Sequence, residues 1–283
     1  MSVRIIVDST ADLHQSVKDR FTVVPLTIRF GEEEFIDGVT INCQQFYEKL
    51  LESDVMPTTS QVTPATFGDI FSQVVAEGDT AVVLTLATEM SGTYQSACVA
   101  AMDFPDQIFV VDSRNVTIGF GVLAEYALRL ADSGMEAKAI AEKLTKDRED
   151  VIVVALLDTL EYLKRGGRIS KTVAFAGTML SIKPVVNVKD GVINVLGKAR
   201  GSKQGNSLLT KQIEAVGGID PEKPVLMGYT GLSDELMLKY MEDSRPMWEE
   251  KLGHMNTTQI GSVIGTHAGP GAVGVAFFEN KMG

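Results

Sequence analysis

The clearest chemical potential in this chain lies at Ser91-Gly92-Thr93, which follows the apolar run Ala81 to Leu86. A strand that turns into a helix leaves backbone N–H groups and the positive end of the helix dipole facing a ligand. The stretch from Ala81 to Tyr94 holds hydroxyls but no Lys or Arg. That favours a small, singly charged anion such as a carboxylate over a polyphosphate. A plain helix N-cap at Ser91 is the alternative reading.

Thr58-Thr59-Ser60-Gln61 supplies a second group of uncharged donors, just ahead of a helix capped by Thr63 and opened by Pro64. The third candidate is Val263 to Ala272, where Gly265, Gly269, Pro270 and Gly271 surround His267 between two apolar strands. Such permissive residues allow a close backbone approach. His267 is there either to donate to a carboxylate, whose charge would favour the protonated ring, or as a structural hydrogen-bonder. The fourth is Asp158 to Ser170, read as a short helix with a capping box at Asp158 and Glu161 and a left-handed C-cap at Gly166. Lys164, Arg165, Arg168 and Lys171 cluster around its end. They either complement the helix dipole or dock an acidic partner or a phosphate.

The elements that must position these residues follow an α/β grammar. Strands are predicted at Arg4 to Asp8, Ala81 to Leu86, Ile108 to Val111 and Val151 to Leu157, with a helix starting at Thr63-Pro64 and others near 91–102, 115–132 and 136–146. Ser9 to Asp12 is expected to cap a helix, Phe21 to Phe30 to be extended, Gly31 to Gly38 to be a turn, and Phe46 to Ser53 to be helical. The alternation predicts a mainly parallel sheet covered on both faces. Beyond about residue 160 the pattern changes. An antiparallel hairpin is predicted around Lys189-Asp190-Gly191, with helices at 204–216 and 233–252 and strands at 224–229, 255–262 and 273–278. The expectation is two α/β domains, 1–160 with the parallel sheet and 161–283 with a mixed one.

Composition narrows the function. A formal charge of −11 argues against nucleic acid and against electrostatic docking on anionic lipid. No run approaches a membrane span and the start does not resemble a signal peptide, so a cytoplasmic location without stable membrane insertion is expected. Cys43 and Cys98 form no CxxC, and His14 and His254 lack ligand-like neighbours, so neither metal nor cofactor is expected. Gly119 to Ala124 fits GxGxxA, yet it lacks the strand and acidic partner of a dinucleotide site, and helix packing accounts for its glycines.

Taken in order, Ile6 to Leu13, Val24 to Thr27, Thr59-Ser60-Gln61, Ser91 to Tyr94, Val111-Asp112-Ser113, Leu163 to Ser170, Lys183-Pro184 and Gly265 to Ala272 resemble the DegV family of bacterial fatty-acid-binding proteins over about 3–281. The resemblance implies a long-chain fatty acid, such as palmitate or oleate, held between two domains with its tail in an apolar tunnel. It implies a non-catalytic carrier whose ligand is phosphorylated on the carboxyl group by a separate ATP-using kinase subunit. By motif position, Thr59, Ser91 and His267 would hold the carboxylate, with Ser60, Gly92 and Thr93 beside them. Arg165 or Arg168 would meet the kinase or steady the head group. The family usually has Pro directly after Thr-Ser-Gln, whereas Val62-Thr63 intervene here. A single chain is the default oligomeric state. The competing class is a serine hydrolase or acyltransferase using Ser91 and His267 with Asp8 or Asp112, although GxSxG is missing.

Overall fold

The computed structural model describes residues 2–169, 182–252 and 255–281. Lys171 and His254, both singled out above, lie outside them.

The chain opens with β1 (Val3–Asp8), α1 (Gln15–Lys18) and β2 (Thr22–Val24), then β3 (Thr27–Phe30), β4 (Glu33–Ile36), α2 (Cys43–Glu52) and β5 (Thr58–Ser60). It continues through α3 (Pro64–Ala76), β6 (Thr80–Thr85), α4 (Thr93–Ala101), β7 (Ile108–Asp112), α5 (Thr117–Asp132) and α6 (Ala137–Asp147). Strands β2-β1-β6-β7 form a parallel sheet. Side chains alternate across it as the pleat requires. Ile6, Ala81 and Val83 face one core with Phe67, Phe71 and Ala97 of α3 and α4, while Ile5, Val7, Val82 and Leu84 face the other with Phe120, Leu123 and Ile140 of α5 and α6. Burial on both faces explains why these strands are apolar throughout.

The rest comprises β8 (Val151–Leu156), α7 (Glu161–Arg165), β9 (Ile182–Lys189), β10 (Val192–Arg200), α8 (Gly201–Ala215), β11 (Leu226–Tyr229), α9 (Glu235–Asp243), α10 (Arg245–Leu252), β12 (Thr257–Gln259), α11 (Ser262–Ala268) and β13 (Val273–Phe278). A mixed six-stranded sheet runs β10-β9-β8-β13-β11-β12, parallel only between β11 and β12. The α/β class with one parallel and one mixed sheet is as expected. So is the hairpin, whose Asp190 and Gly191 both have positive φ (53° and 75°), the signature of a type I′ turn.

Helix α5 lies between the two sheets, with Ile118 facing Gly228 and Gly274 of the six-stranded one. Its glycines exist for close approach: a Cβ on Gly121 would stand 2.0 Å from the Asp12 carbonyl oxygen, and one on Gly119 2.1 Å from Val153.

Several local expectations are corrected. Val151–Leu156 joins the six-stranded sheet, antiparallel to β13 and β9; an apolar run looks the same in either covered sheet. Residues 31–38 contain β4, which folds back on β3 after Gly31 (φ 60°) and completes a three-stranded antiparallel sheet with β5. The α1 cap is His14, whose Nδ1 accepts from the Ser16 N–H, and not the Ser9–Asp12 turn. The helix expected at 233–252 is two, broken at Ser244 ahead of Pro246. Asp158 does not cap α7; the Thr159 hydroxyl takes the Glu161 N–H, and Asp158 pairs with Lys183. Gly167, not Gly166, takes the left-handed turn after that helix. Finally, Ser262 opens a helix instead of closing a strand, so His267 stands in the last turn of α11. Gly265 fits there because it packs against the Tyr47 and Phe46 rings.

Candidate functional site

A cavity of about 410 Å³ opens where the two sheets and the small antiparallel sheet meet, a size usual for a small-molecule site. Its walls come from the β6–α4 corner (Leu86, Met90, Ser91, Gly92), from β5 and Gln61, from the start of α5 (Thr117, Ile118) and from α11 (Val263, Ile264, His267). The six-stranded sheet adds Val153, Ala155, Val186, Val188 and Gly274. Among the described lining residues Arg168 is the one ionisable side chain besides His267, and none is a carboxylate.

Polar groups line it on several elements: Thr59, Ser60 and Gln61, Ser91, Thr117, Asn187, Thr230 and His267. Thr59, on β5 through its pairing with Ile28, places Oγ1 3.0 Å from His267 Nε2. The other ring nitrogen, Nδ1, is buried without a partner, and Gly166 covers it so closely that a Cβ there would come within 2.3 Å. An orphaned lone pair costs less than an orphaned N–H, so the tautomer with hydrogen on Nε2 is favoured. Nε2–H then donates to Thr59 Oγ1, which leaves the threonine O–H to donate elsewhere. Burial first, and then Arg168, push the His267 pKa down to about 4, so the ring is neutral at pH 7.

Across the mouth, Ser91 Oγ accepts from the Thr93 N–H at 3.2 Å and lies 2.9 Å from Thr93 Oγ1. Thr93 is fully buried behind it and does not line the cavity. The Gln61 side chain packs on Gly92, its Oε1 2.2 Å from where a Cβ would stand, and its amide donates to Ser96 Oγ at 3.0 Å. Ser60 lines the exposed rim. Arg168 is half-buried and braces two loops: Nη1 donates to the Gly166 carbonyl at 2.6 Å, and Nε and Nη2 donate to the Met90 carbonyl at 3.3 Å. It therefore supports both the glycine behind His267 and the residue before Ser91. Arg165 lies outside the cavity, exposed and paired with Glu161 at 2.7 Å.

No Ser–His–Asp triad is assembled among the described residues. The imidazole bonds Thr59, not Ser91. Asp8 is engaged by Thr10 and the Leu86 N–H, and Asp112 by the N–H groups of Thr88 and Arg114. Neither carboxylate reaches His267. Sequence reading missed most of the apolar wall, including Ile118, Val153, Ile193 and Ile260, because a wall side chain and a core side chain have the same composition. Gln61 was legible only as part of a polar run.

The family model described as "Uncharacterised protein, DegV family" matches residues 2–280. A DegV domain-containing protein of Clostridium perfringens is 32% identical over 280 residues, covering 98% of both chains. Among solved structures, one from Thermus thermophilus, described as fatty acid binding of a DegV family protein, superposes with a TM-score of 0.88 at 30% identity, over 99% of this chain and 100% of that one. A stearic acid-binding protein from Eubacterium ventriosum superposes with a TM-score of 0.85 at 28% identity, over 99% and 98% of the two chains.

Proposed function

This chain belongs to the DegV family, and from that premise we propose that it binds one long-chain fatty acid with the carboxylate at the Thr59–Ser91–His267 end and the alkyl chain along the apolar wall. The observation that carries the reading is the composition of the cavity: hydroxyls and a neutral imidazole on β5, α11 and the β6–α4 corner, a mostly aliphatic lining otherwise broken only by Gln61, Thr117, Thr230, Asn187 and Arg168 among the described residues, and no carboxylate among them. An ionised carboxylate loses several kcal/mol of hydration on entering such a space unless its lone pairs are matched. The Thr59 and Ser91 O–H groups supply two donors. The alkyl chain supplies the driving force, at about 0.8 kcal/mol per buried CH₂.

In this reading the protein is a cytoplasmic carrier that presents the carboxyl group to a separate ATP-using kinase, which phosphorylates it to an acyl-phosphate. Charge distribution supports a partner on this side. Residues 161–211 hold ten Lys and Arg against two acidic residues, in a chain of net charge −11. Lys164, Arg165, Lys198, Arg200 and Lys203 of that stretch are exposed. A concentration of basic residues in one part of an acidic protein would help steer an acidic partner.

The test is denaturing solvent extraction of the purified protein followed by mass spectrometry with stoichiometry. Near one fatty acid per chain is expected, and its identity gives the preferred acyl chain. A protein that carries none and takes up no added palmitate overturns the reading.

A further inference from the structure

The segment entering α11 is pinned by residues from the far end of the sequence. The Gly261 N–H donates to Asp12 Oδ1 at 2.7 Å, the Tyr47 hydroxyl to the Ile260 carbonyl at 3.0 Å, and Thr258 Oγ1 to the Leu13 carbonyl at 3.0 Å. The second oxygen of Asp12 accepts from Thr117 Oγ1 at 2.6 Å. Thr117 is the first residue of α5 and lines the cavity. It also has a φ of 54°, a left-handed conformation unfavourable for a β-branched residue unless its surroundings impose it.

Asp12 is 6% exposed and forms no ion pair among the described residues; Lys18, Asp37, Cys43 and Tyr47 are the titratable groups around it. A buried carboxylate without a counter-ion is costly. Packing alone does not call for it, since its two partners belong to two different cavity walls. One is the strained start of α5. The other is the N-terminus of the seven-residue helix whose last turn carries His267.

We propose that Asp12 is a positioning residue for the head-group end of the cavity: through Gly261 it seats α11 and so sets the His267–Thr59 pair, and through Thr117 it fixes the facing wall. This rests on the lipid-binding reading above. Asn at this position keeps an acceptor for the Gly261 N–H and offers Thr117 Oγ1 a donor in place of an acceptor, whereas Ala does neither.

The test compares Asp12→Ala and Asp12→Asn in the full chain, using palmitate affinity and the ¹⁵N resonances of the His267 ring, assigned with His267→Gln. Asp12→Ala should weaken palmitate binding about tenfold, the order expected for losing a buried hydrogen bond and leaving its partners unmatched, and should move the His267 signals. Asp12→Asn should restore both to near wild type. If Asp12→Ala does not fold, Asp12→Glu replaces it, because it keeps the charge but misplaces the oxygens; weakened binding and shifted signals are again expected. Unchanged affinity and unchanged ring signals in the folded Ala or Glu variant overturn the proposal, as does an Asn variant as impaired as Ala. Wild-type protein that takes up no palmitate at all defeats the lipid-binding reading instead.

Discussion

At the scale of single residues, the head-group end is built from neutral donors, and its pH behaviour follows from that. His267 titrates near 4 in the fold, against about 6.5 for an unfolded chain. Between these values the unfolded state binds the extra proton, so this residue's contribution to stability is complete above about pH 6.5 and is lost as pH falls toward 4. Burial acts oppositely on Asp8 and Asp12, raising them to about 6 and about 7, so their penalty grows as pH rises through that window. The two trends overlap in the wild type and separate by difference. His267→Gln should lose less stability than the parent between pH 7 and pH 4.5, measured by thermal melts; parallel losses would contradict a neutral buried ring. On the proposed reading the two hydroxyls match the carboxylate, while the alkyl chain supplies the driving force. Ser91→Ala combined with Thr59→Ala should weaken palmitate binding on the order of a hundredfold while leaving the melting profile intact. Lipid content unchanged in that double variant would place the carboxylate elsewhere.

At the scale of elements, what was legible in the sequence was whatever its local pattern determines. The β1, β6 and β7 strands, the long helix α5 and the Asp190-Gly191 hairpin have apolar periodicities or turn residues that admit one solution. The small antiparallel sheet was not legible, because β4 is a four-residue edge strand carrying Glu33 and Glu34, which read as a polar turn. Helix α11 was hidden by Gly265, which is placed by the Tyr47 and Phe46 rings, more than 200 positions away in the sequence. The candidate hydroxyls and His267 could be named from type and spacing; the contact that joins Thr59 to His267 depends on how β5 and α11 meet, which no local pattern encodes. Helix α5 gives the sharpest test at this scale. Gly121→Ala places a methyl group against the Asp12 backbone, where no side chain can swing aside. It should destabilise by about 1–3 kcal/mol, lowering Tm by several degrees. A Tm within a degree of wild type would show that the segment after β1 and α5 part more easily than their contact implies.

At the scale of the whole molecule, charge and cavity divide the work between Arg165 and Arg168. Arg168 braces the Met90 and Gly166 carbonyls at the cavity, so on the proposed reading its loss would disturb the ligand site itself. Arg165 is exposed and, among the described residues, pairs with Glu161 on its own helix. Arg165→Ala should therefore leave bound lipid at wild-type stoichiometry and lower acyl-phosphate formation several-fold with a partner kinase, most at low salt where steering is strongest. A loss of bound lipid in that variant would instead draw α7 into the ligand site.

Ile118, Val153, Val188 and Ile260 belong at once to the hydrophobic core shared by both sheets and to the wall of the cavity. A fatty acid lying against them completes the core as an additional side chain would. Occupancy then adds directly to folding stability, by an amount that grows with the logarithm of free ligand over Kd. On the proposed reading, an empty copy therefore opens more often than a loaded one.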